Sequence, residues 1–125
     1  MDGPLALIVD DNDKNRRLAQ YVLRLDGFRT LEAATGGEGV SLAAEHAPDV
    51  ILMDIRLPDA DGTELAKRLK SDPRTAAIPI VAVTAFAMKG DREWFLAEGF
   101  DGYVEKPIDV GEFAGQVRTY CRTAQ

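Results

Sequence analysis

Five short apolar segments alternate with segments of helical periodicity along this chain, and this alternation constrains the fold more than any other feature of the sequence. The apolar segments predict strands at 5–9, 28–33, 49–54, 78–84 and 100–105. Because these strands are apolar on both faces and helices separate them, the pattern predicts a parallel sheet covered on both sides. The expected fold is therefore α/β and doubly wound, with five strands and five helices.

Capping residues and apolar periodicity set the expected helices. The first helix is expected to begin after an N-cap at Asn12 or Asp13 and to stop at Gly27. The second spans 37–47 before Pro48, and the fourth spans roughly 88–98, with Phe95 in the core and Trp94 on the surface. The residues expected to share one side of their helix are Leu18, Val22 and Leu25 in the first, Leu65 and Leu69 in the third, and Val110, Phe113, Val117 and Tyr120 in the last.

Composition excludes several classes of protein. The 125 residues suit one domain, 1–125, without a linker or a second domain. The net charge is −6 with scattered basic residues, which argues against a nucleic-acid-binding face. The longest uncharged apolar run, 78–88, is well short of the ~20 residues that span a bilayer. With no secretory signal, one cysteine (Cys121) and one histidine (His46), the chain is expected in the cytoplasm, without a disulfide or a Cys/His metal cluster.

Polar residues follow four of the five predicted strands. The carboxyl ends of parallel strands lie at one edge of the sheet, so these residues are expected to converge there. In a flavodoxin-like strand order of 2-1-3-4-5, strands one and three are also neighbours. Three of them are carboxylates, which repel one another unless a cation lies between them, and an all-oxygen ligand set favours Mg²⁺. Each residue alone has a structural explanation as a helix cap, a strand-end hydroxyl or a solvated lysine, but the set favours a site. The residues are Asp10 and Asp11 at the end of strand one, Asp54 at the end of strand three, Thr84 at the end of strand four and Lys106 at the end of strand five.

These motifs carry a resemblance that covers essentially the whole chain. They read LIVDDN at 7–12, VILMD at 50–54, LP at 57–58 with DG at 61–62, VTA at 83–85, and GYVEKP at 102–107. With them the sequence resembles the receiver domain of the two-component response regulators, a CheY-like fold. The stretch TAFAMKGD at 84–91 further resembles the single-domain cell-cycle regulators of the DivK type.

The resemblance implies a role for each of these residues. Asp54 would be the phosphoacceptor, taking a phosphoryl group from a histidine of a sensor kinase or of a histidine phosphotransfer protein. Lys106 would neutralise charge on the phosphoryl oxygens as an ammonium donor, and Thr84 would serve as a hydroxyl donor. Mg²⁺ would be bound directly by Asp11 and Asp54, through water by Asp10, and by the main-chain carbonyl of Arg56.

The resemblance also implies a switch and an output surface. On phosphorylation the hydroxyl of Thr84 would move and Tyr103 would turn inward, with Ala85 leaving room, which would reshape the face formed by helix four, strand five and helix five. Trp94 is a candidate docking residue on this face. Arg56 and Phe86, near the phosphoryl group, are expected to set its lifetime and to make self-dephosphorylation slow.

The expected partners are a kinase or phosphotransfer protein and a downstream protein target, without nucleic acid or membrane. The chain is expected to be a monomer or a weak dimer, and not an enzyme beyond its own phosphorylation and dephosphorylation. A receiver excised from a hybrid kinase or a larger regulator is an alternative, and so is a receiver that binds partners without phosphorylation.

Two further alternatives belong to other classes. Asp11-Asn12-Asp13 formally matches the Asp-x-Asp of haloacid-dehalogenase-like phosphatases, with Asp11 as nucleophile, but Lys14 and Asn15 depart from that pattern. A flavodoxin-like cofactor binder would need glycine and hydroxyl donors in the first loop, which here is acidic.

Overall fold

A computed structural model describes residues 3–55, 57–85 and 91–121 of the chain. The strands are β1 (Leu5–Val9), β2 (Arg29–Ala33), β3 (Val50–Asp54), β4 (Ile80–Thr84) and β5 (Gly102–Glu105). The helices are α1 (Asp13–Leu25), α2 (Gly36–His46), α3 (Gly62–Ser71), α4 (Asp91–Ala97) and α5 (Phe113–Tyr120). None of the helices in the described ranges is long and apolar enough to cross a membrane.

The five strands form one parallel sheet in the order β2-β1-β3-β4-β5, which confirms the predicted topology. The chain leaves β1 towards one edge of the sheet to form β2, and then returns past β1 to form β3, β4 and β5. The strand order therefore reverses between β1 and β3, and the crevice outside their carboxyl ends is where sheets of this kind bind ligands.

Alternate strand residues contribute to two hydrophobic clusters, one on each face of the sheet. In β1, Ala6 and Ile8 pack with α1 and α5, whereas Leu7 and Val9 belong to the cluster that includes residues of α2, α3 and α4. Because both faces are buried, the central strands contain almost no polar residues before their carboxyl ends. Polar side chains are therefore concentrated at the edge where the strands end.

Three apolar residues expected on helix faces are exposed, and the prediction that Val110 lies on the inner face of the last helix is wrong. Val110 is 58% exposed because it lies in the turn before α5, where Asp109 accepts hydrogen bonds from the amides of Gly111 and Glu112 and delays the helix until Phe113. In α1 the buried residues are Ala19, Val22 and Leu23, while Leu18 and Leu25 are 38% and 70% exposed because they lie on the flank of the buried face.

Two element boundaries differ from the predicted ones because of proline. β4 begins at Ile80 instead of residue 78, since Pro79 has no N–H to donate to the sheet. α2 ends at His46, since the residue before Pro48 is disfavoured in a helix. Ala47 is the C-cap, in a left-handed conformation (φ 46°), and its N–H donates to the carbonyl of Ala43. At the start of α1, Asn12 is the N-cap, as one of the two predicted alternatives, and accepts a hydrogen bond from Asn15 N.

We expect Phe113→Ala to lower the free energy of unfolding by about 3–5 kcal/mol, because Phe113 is fully buried between α5 and the sheet. It also lines a small cavity together with Asp10 and Asp54. Urea unfolding monitored by circular dichroism measures the loss. Phe113→Leu is the control, with a clearly smaller expected loss because leucine still fills most of the space. Equal losses for the two variants would contradict this account of the packing.

Candidate functional site

Three carboxylates meet at the carboxyl ends of β1 and β3. Asp10 and Asp11 directly follow β1, and Asp54 is the last residue of β3. One oxygen of each of the three lies within 4.8 Å of the others. Asp10 is 5% exposed, Asp54 is half-buried, and Asp11 is exposed. The edge of the sheet therefore concentrates three negative charges in a small and partly desolvated space.

One ammonium group lies beside this cluster. Lys106 follows β5, and its Nζ is 3.4 Å from Asp10 Oδ2 and 3.7 Å from Asp54 Oδ2. The Lys106 side chain is only 19% exposed, and its amide nitrogen donates to the carbonyl of Thr84 at 2.7 Å. The lysine is thus fixed by the β4–β5 pairing and faces two of the three carboxylates.

β4 and β5 also position a hydroxyl and an aromatic ring. Thr84 ends β4 and is 5% exposed, and Ala85 follows it on the surface. Tyr103, in the middle of β5, is half-buried, and its ring centroid is 5.1 Å from that of Phe95 in α4. The structure thereby links the strand that carries Tyr103 with the helix that covers it.

The loop between β1 and α1 is held by hydrogen bonds from both ends. Asp10 N donates to the carbonyl of Ala33 on β2 at 3.0 Å, and Asp10 Oδ1 accepts from Asn12 N at 2.9 Å. This network leaves Asp10 Oδ2 directed towards Lys106. The carboxylate of Asp10 is therefore oriented by the local backbone.

Gly62 allows α3 to begin directly against the end of β3. Its amide donates to the carbonyl of Ile55 at 2.8 Å, and a Cβ at this position would lie 2.8 Å from the carbonyl oxygen of Asp54. Asp61 caps the helix by accepting from Thr63 N. Because glycine has no Cβ, the Asp61-Gly62 motif permits this close approach.

The donor set suits Mg²⁺. It consists of carboxylate oxygens, which Mg²⁺ prefers, and within the described residues it contains no histidine or cysteine that would favour zinc. Lys106 contributes one positive charge against three carboxylates, so a divalent cation would balance the cluster. The residues present therefore fit the ion.

Comparisons with known proteins agree with this geometry. The response regulator receiver domain family matches residues 6–118. The chain belongs to this family. The polar-differentiation response regulators DivK of Brucella ovis and Brucella melitensis are each 44% identical over 118 residues, which cover 94% of this chain and 96% of each relative. This result confirms the resemblance to a receiver domain of the DivK type.

Solved structures show the same fold. The chemotaxis response regulator CheY4 of Vibrio cholerae is 24% identical with a TM-score of 0.87, covering 94% of this chain and 98% of that one. The receiver domain of the sensor histidine kinase PA1611 from Pseudomonas aeruginosa is 34% identical with a TM-score of 0.84, covering 94% of this chain and 97% of that one. That structure has a magnesium ion coordinated in the active site cleft.

Receiver domains are signalling domains of two-component systems, not classical enzymes, and they bind Mg²⁺ at an acidic site.

In this receiver domain, Trp94 is 47% exposed and Phe95 is 4% exposed, as predicted for the surface and core of helix four. Arg56 and Phe86 lie outside the described residues, as do residues 88–90 of the predicted fourth helix. Cys121 is buried just after α5, and burial raises the pKa of its thiol to about 11.

A carboxylate without a sequence signal, Asp59, joins the loop after β3 to α2. Asp59 Oδ1 accepts from Gly36 N at 2.8 Å, and Asp59 Oδ2 accepts from Gly37 N at 3.0 Å. These two amides, at the N-terminus of α2, lower the pKa of Asp59. An acidic residue 23 positions beyond a helix start gives no sequence signal for such a contact, since its partner depends on tertiary packing.

We expect the contribution of Asp59 to stability to depend on pH. A carboxyl group whose pKa is lowered by folding stabilises the protein above its unfolded pKa of about 4, and this contribution is lost as the pH falls through the folded value. Asp59→Asn should therefore be less stable than the wild type at pH 7, and the difference should shrink towards pH 3. Urea midpoints at both pH values measure this. Glu93→Gln, at an exposed carboxylate of α4, is the control, and a pH-independent difference for Asp59→Asn would contradict the expectation.

Proposed function

We propose that this receiver domain is switched by phosphorylation of Asp54 in a two-component system or phosphorelay. The observation that supports this most directly is the convergence of the Asp10, Asp11 and Asp54 carboxylates, with Lys106 Nζ within 3.7 Å of Asp54. Asp54 occupies the end of a central strand and is half-buried, so a donor can reach it from the open edge of the sheet.

The three carboxylates would bind the metal ion, and one of them, Asp54, would also be the nucleophile. Asp11 and Asp54 would bind Mg²⁺ directly, Asp10 would hold it through water, and the carbonyl of Arg56 would complete the protein ligands. Bound Mg²⁺ supplies positive charge that neutralises the phosphoryl oxygens. The carboxylate oxygen of Asp54 that does not bind the ion would attack the phosphorus.

The transfer itself requires little covalent chemistry from the protein. An oxygen of Asp54 attacks the phosphorus, the P–N bond to the donor histidine breaks, and the imidazole nitrogen retains the electron pair and takes up a proton. Lys106 donates hydrogen bonds to the transferred group from its fixed position beside Asp54, and Thr84 provides a hydroxyl donor at the end of β4. With acetyl phosphate as donor, a P–O bond breaks instead and acetate leaves.

The output surface is the face of α4, β5 and α5. Movement of Thr84 towards the phosphoryl group, beside Ala85, would allow Tyr103 to turn inward. Tyr103 lies against Phe95, which in turn contacts Trp94 edge-on with ring centroids 5.0 Å apart. A change at Tyr103 therefore has a packed aromatic route to an exposed residue on α4.

The partners that this function requires are a histidine kinase or histidine phosphotransfer protein and a downstream protein target. Trp94 is the proposed docking residue for such a target. Trp94→Ala should accept phosphate normally but bind the target more weakly, and unchanged binding would remove this role.

Arg56 and Phe86 are proposed to set the lifetime of the phosphoryl group, and an unchanged half-life in Arg56→Ala and Phe86→Glu would remove that role.

Intact-mass spectrometry tests the proposed function. The protein is incubated with acetyl phosphate in the presence of Mg²⁺, and a parallel sample contains EDTA. We expect the gain of one phosphoryl group with Mg²⁺ and none with EDTA. The absence of a gain with Mg²⁺, using a receiver of known activity as positive control, would favour a binding module that works without phosphorylation.

A further inference from the structure

The guanidinium group of Arg16 supports the loop that carries Asp10 and Asp11. Arg16 lies near the start of α1, and its side chain is 13% exposed. Its Nη1 donates a 2.8 Å hydrogen bond to the main-chain carbonyl of Asp10. That carbonyl belongs to the peptide group between Asp10 and Asp11, so the contact fixes the backbone between two acidic residues without engaging either carboxylate.

Arg16 is itself held by two carboxylates outside the metal cluster. Its Nε donates to Glu32 Oε1 at 2.9 Å, and its Nη2 donates to Asp13 Oδ1 at 2.5 Å. Glu32 lies on β2 and is paired in register with Ile8 of β1. Because the guanidinium group is planar and rigid, these contacts together determine where Nη1 meets the loop. The arrangement ties α1, β2 and the acidic loop to one side chain.

We infer that Arg16, oriented by Glu32, is a positioning residue that sets the affinity of the acidic cluster for Mg²⁺. This inference rests on the proposed function, because it assigns a role towards the ion that Asp11 and Asp54 would bind. Arg16 holds the Asp10–Asp11 peptide so that the two carboxylates face Asp54. Without it, the Asp10–Asp11 peptide loses its side-chain support and is held by the hydrogen bonds of Asp10 with Ala33 and Asn12.

The sign of the effect separates this role from simple electrostatics. A positive charge near three carboxylates opposes the binding of a cation, so the removal of Arg16 would tighten Mg²⁺ binding if charge alone mattered. The loss of a positioning contact weakens metal binding instead, commonly by about 10- to 100-fold for groups that support metal ligands. The two explanations therefore predict opposite changes.

Isothermal titration of the unphosphorylated protein with Mg²⁺ makes the test, using wild type, Arg16→Met and Arg17→Met. Methionine keeps most of the side-chain length and removes the hydrogen bonds. Arg17 is the matched control, since it is the next residue, is exposed, and makes no hydrogen bond or ion pair among the described residues. We expect the dissociation constant to rise about tenfold in Arg16→Met and to change by less than about twofold in Arg17→Met. Equal or tighter binding in Arg16→Met would overturn the inference.

A second pair of variants leaves Arg16 in place and decides the matter if Arg16→Met does not fold. Glu32→Gln removes the negative charge but retains an oxygen that accepts from Arg16 Nε, whereas Glu32→Ala removes both. We expect Glu32→Gln to bind Mg²⁺ within about twofold of wild type and Glu32→Ala to bind several-fold more weakly. Equal weakening of the two would show an effect of charge only, and equal affinity to wild type would show no effect. Either result would overturn the inference.

The titration also separates this inference from the proposed function. If the wild type binds Mg²⁺ and the Arg16 and Glu32 variants bind it equally well, the positioning role is wrong and the metal site stands. If the wild type does not bind Mg²⁺, the proposed function fails and the positioning role fails with it.

Discussion

An Asp54→Asn variant is expected to gain no phosphoryl group from acetyl phosphate and Mg²⁺. Asparagine keeps the size and shape of the side chain at the end of β3, but its neutral amide is a poor nucleophile at phosphorus. It also removes one of the three carboxylates that lie within 4.8 Å of one another. Intact-mass spectrometry of the variant beside the wild type measures the loss.

The matched control is Asp59→Asn, which makes the same chemical change five residues further along, at a carboxylate bound to amides of α2. This variant should still accept the phosphoryl group. Phosphorylation of Asp54→Asn at the wild-type rate would contradict the assignment. If phosphorylation survived in Asp54→Asn but not in Asp11→Asn, the phosphatase-like alternative with Asp11 as nucleophile would be favoured.

A Lys106→Met variant is expected to accept the phosphoryl group about 10²- to 10³-fold more slowly than the wild type. The ammonium group lies 3.7 Å from Asp54 Oδ2 and is largely shielded from water, so it is already placed to stabilise charge on the incoming phosphoryl oxygens. Methionine keeps the apolar length of the side chain and removes the charge. Initial rates by intact mass at saturating Mg²⁺ and acetyl phosphate measure the effect.

Lys70→Met is the control for the lysine substitution. Lys70 also pairs with a carboxylate, Asp101 at 2.9 Å. Asp101 precedes β5, so this ion pair lies at the amino ends of the strands, whereas Lys106 lies at their carboxyl ends. The phosphorylation rate of Lys70→Met should equal that of the wild type. A Lys106→Met rate within about threefold of wild type would contradict a role in charge stabilisation, since such donors contribute much more.

The parallel sheet and the shared edge of the acidic residues followed from local patterns in the sequence, whereas the adjacency of β1 and β3 followed from the flavodoxin-like order 2-1-3-4-5 that was adopted for it. Apolar strands alternating with helices imply a parallel sheet, and the carboxyl ends of parallel strands lie at one edge. Asp10 and Asp54 could thus be placed together although 43 residues separate them in the chain. The pairing of β1 with β3 brings their ends side by side.

Contacts that depend on packing between elements could not be predicted in the same way. Periodicity placed Leu18 and Leu25 on one side of α1, but it does not show how much of that side packs against the sheet. Both residues are exposed. The hydrogen bonds from Arg16 to the carbonyl of Asp10 and to Glu32 could not be predicted from the sequence either, because a charged residue near a helix start is usually solvated. Its partners become evident only when α1 and β2 are positioned on β1.

Chemical mapping of the phosphorylated residue tests the central claim most directly. The protein is phosphorylated with acetyl phosphate and Mg²⁺ and reduced with borohydride, which converts an aspartyl phosphate to homoserine, and the digested peptides are sequenced by mass spectrometry. The account predicts homoserine at position 54 and at no other aspartate. Homoserine at position 11, or its absence from position 54 in protein that has gained a phosphoryl group, would contradict it.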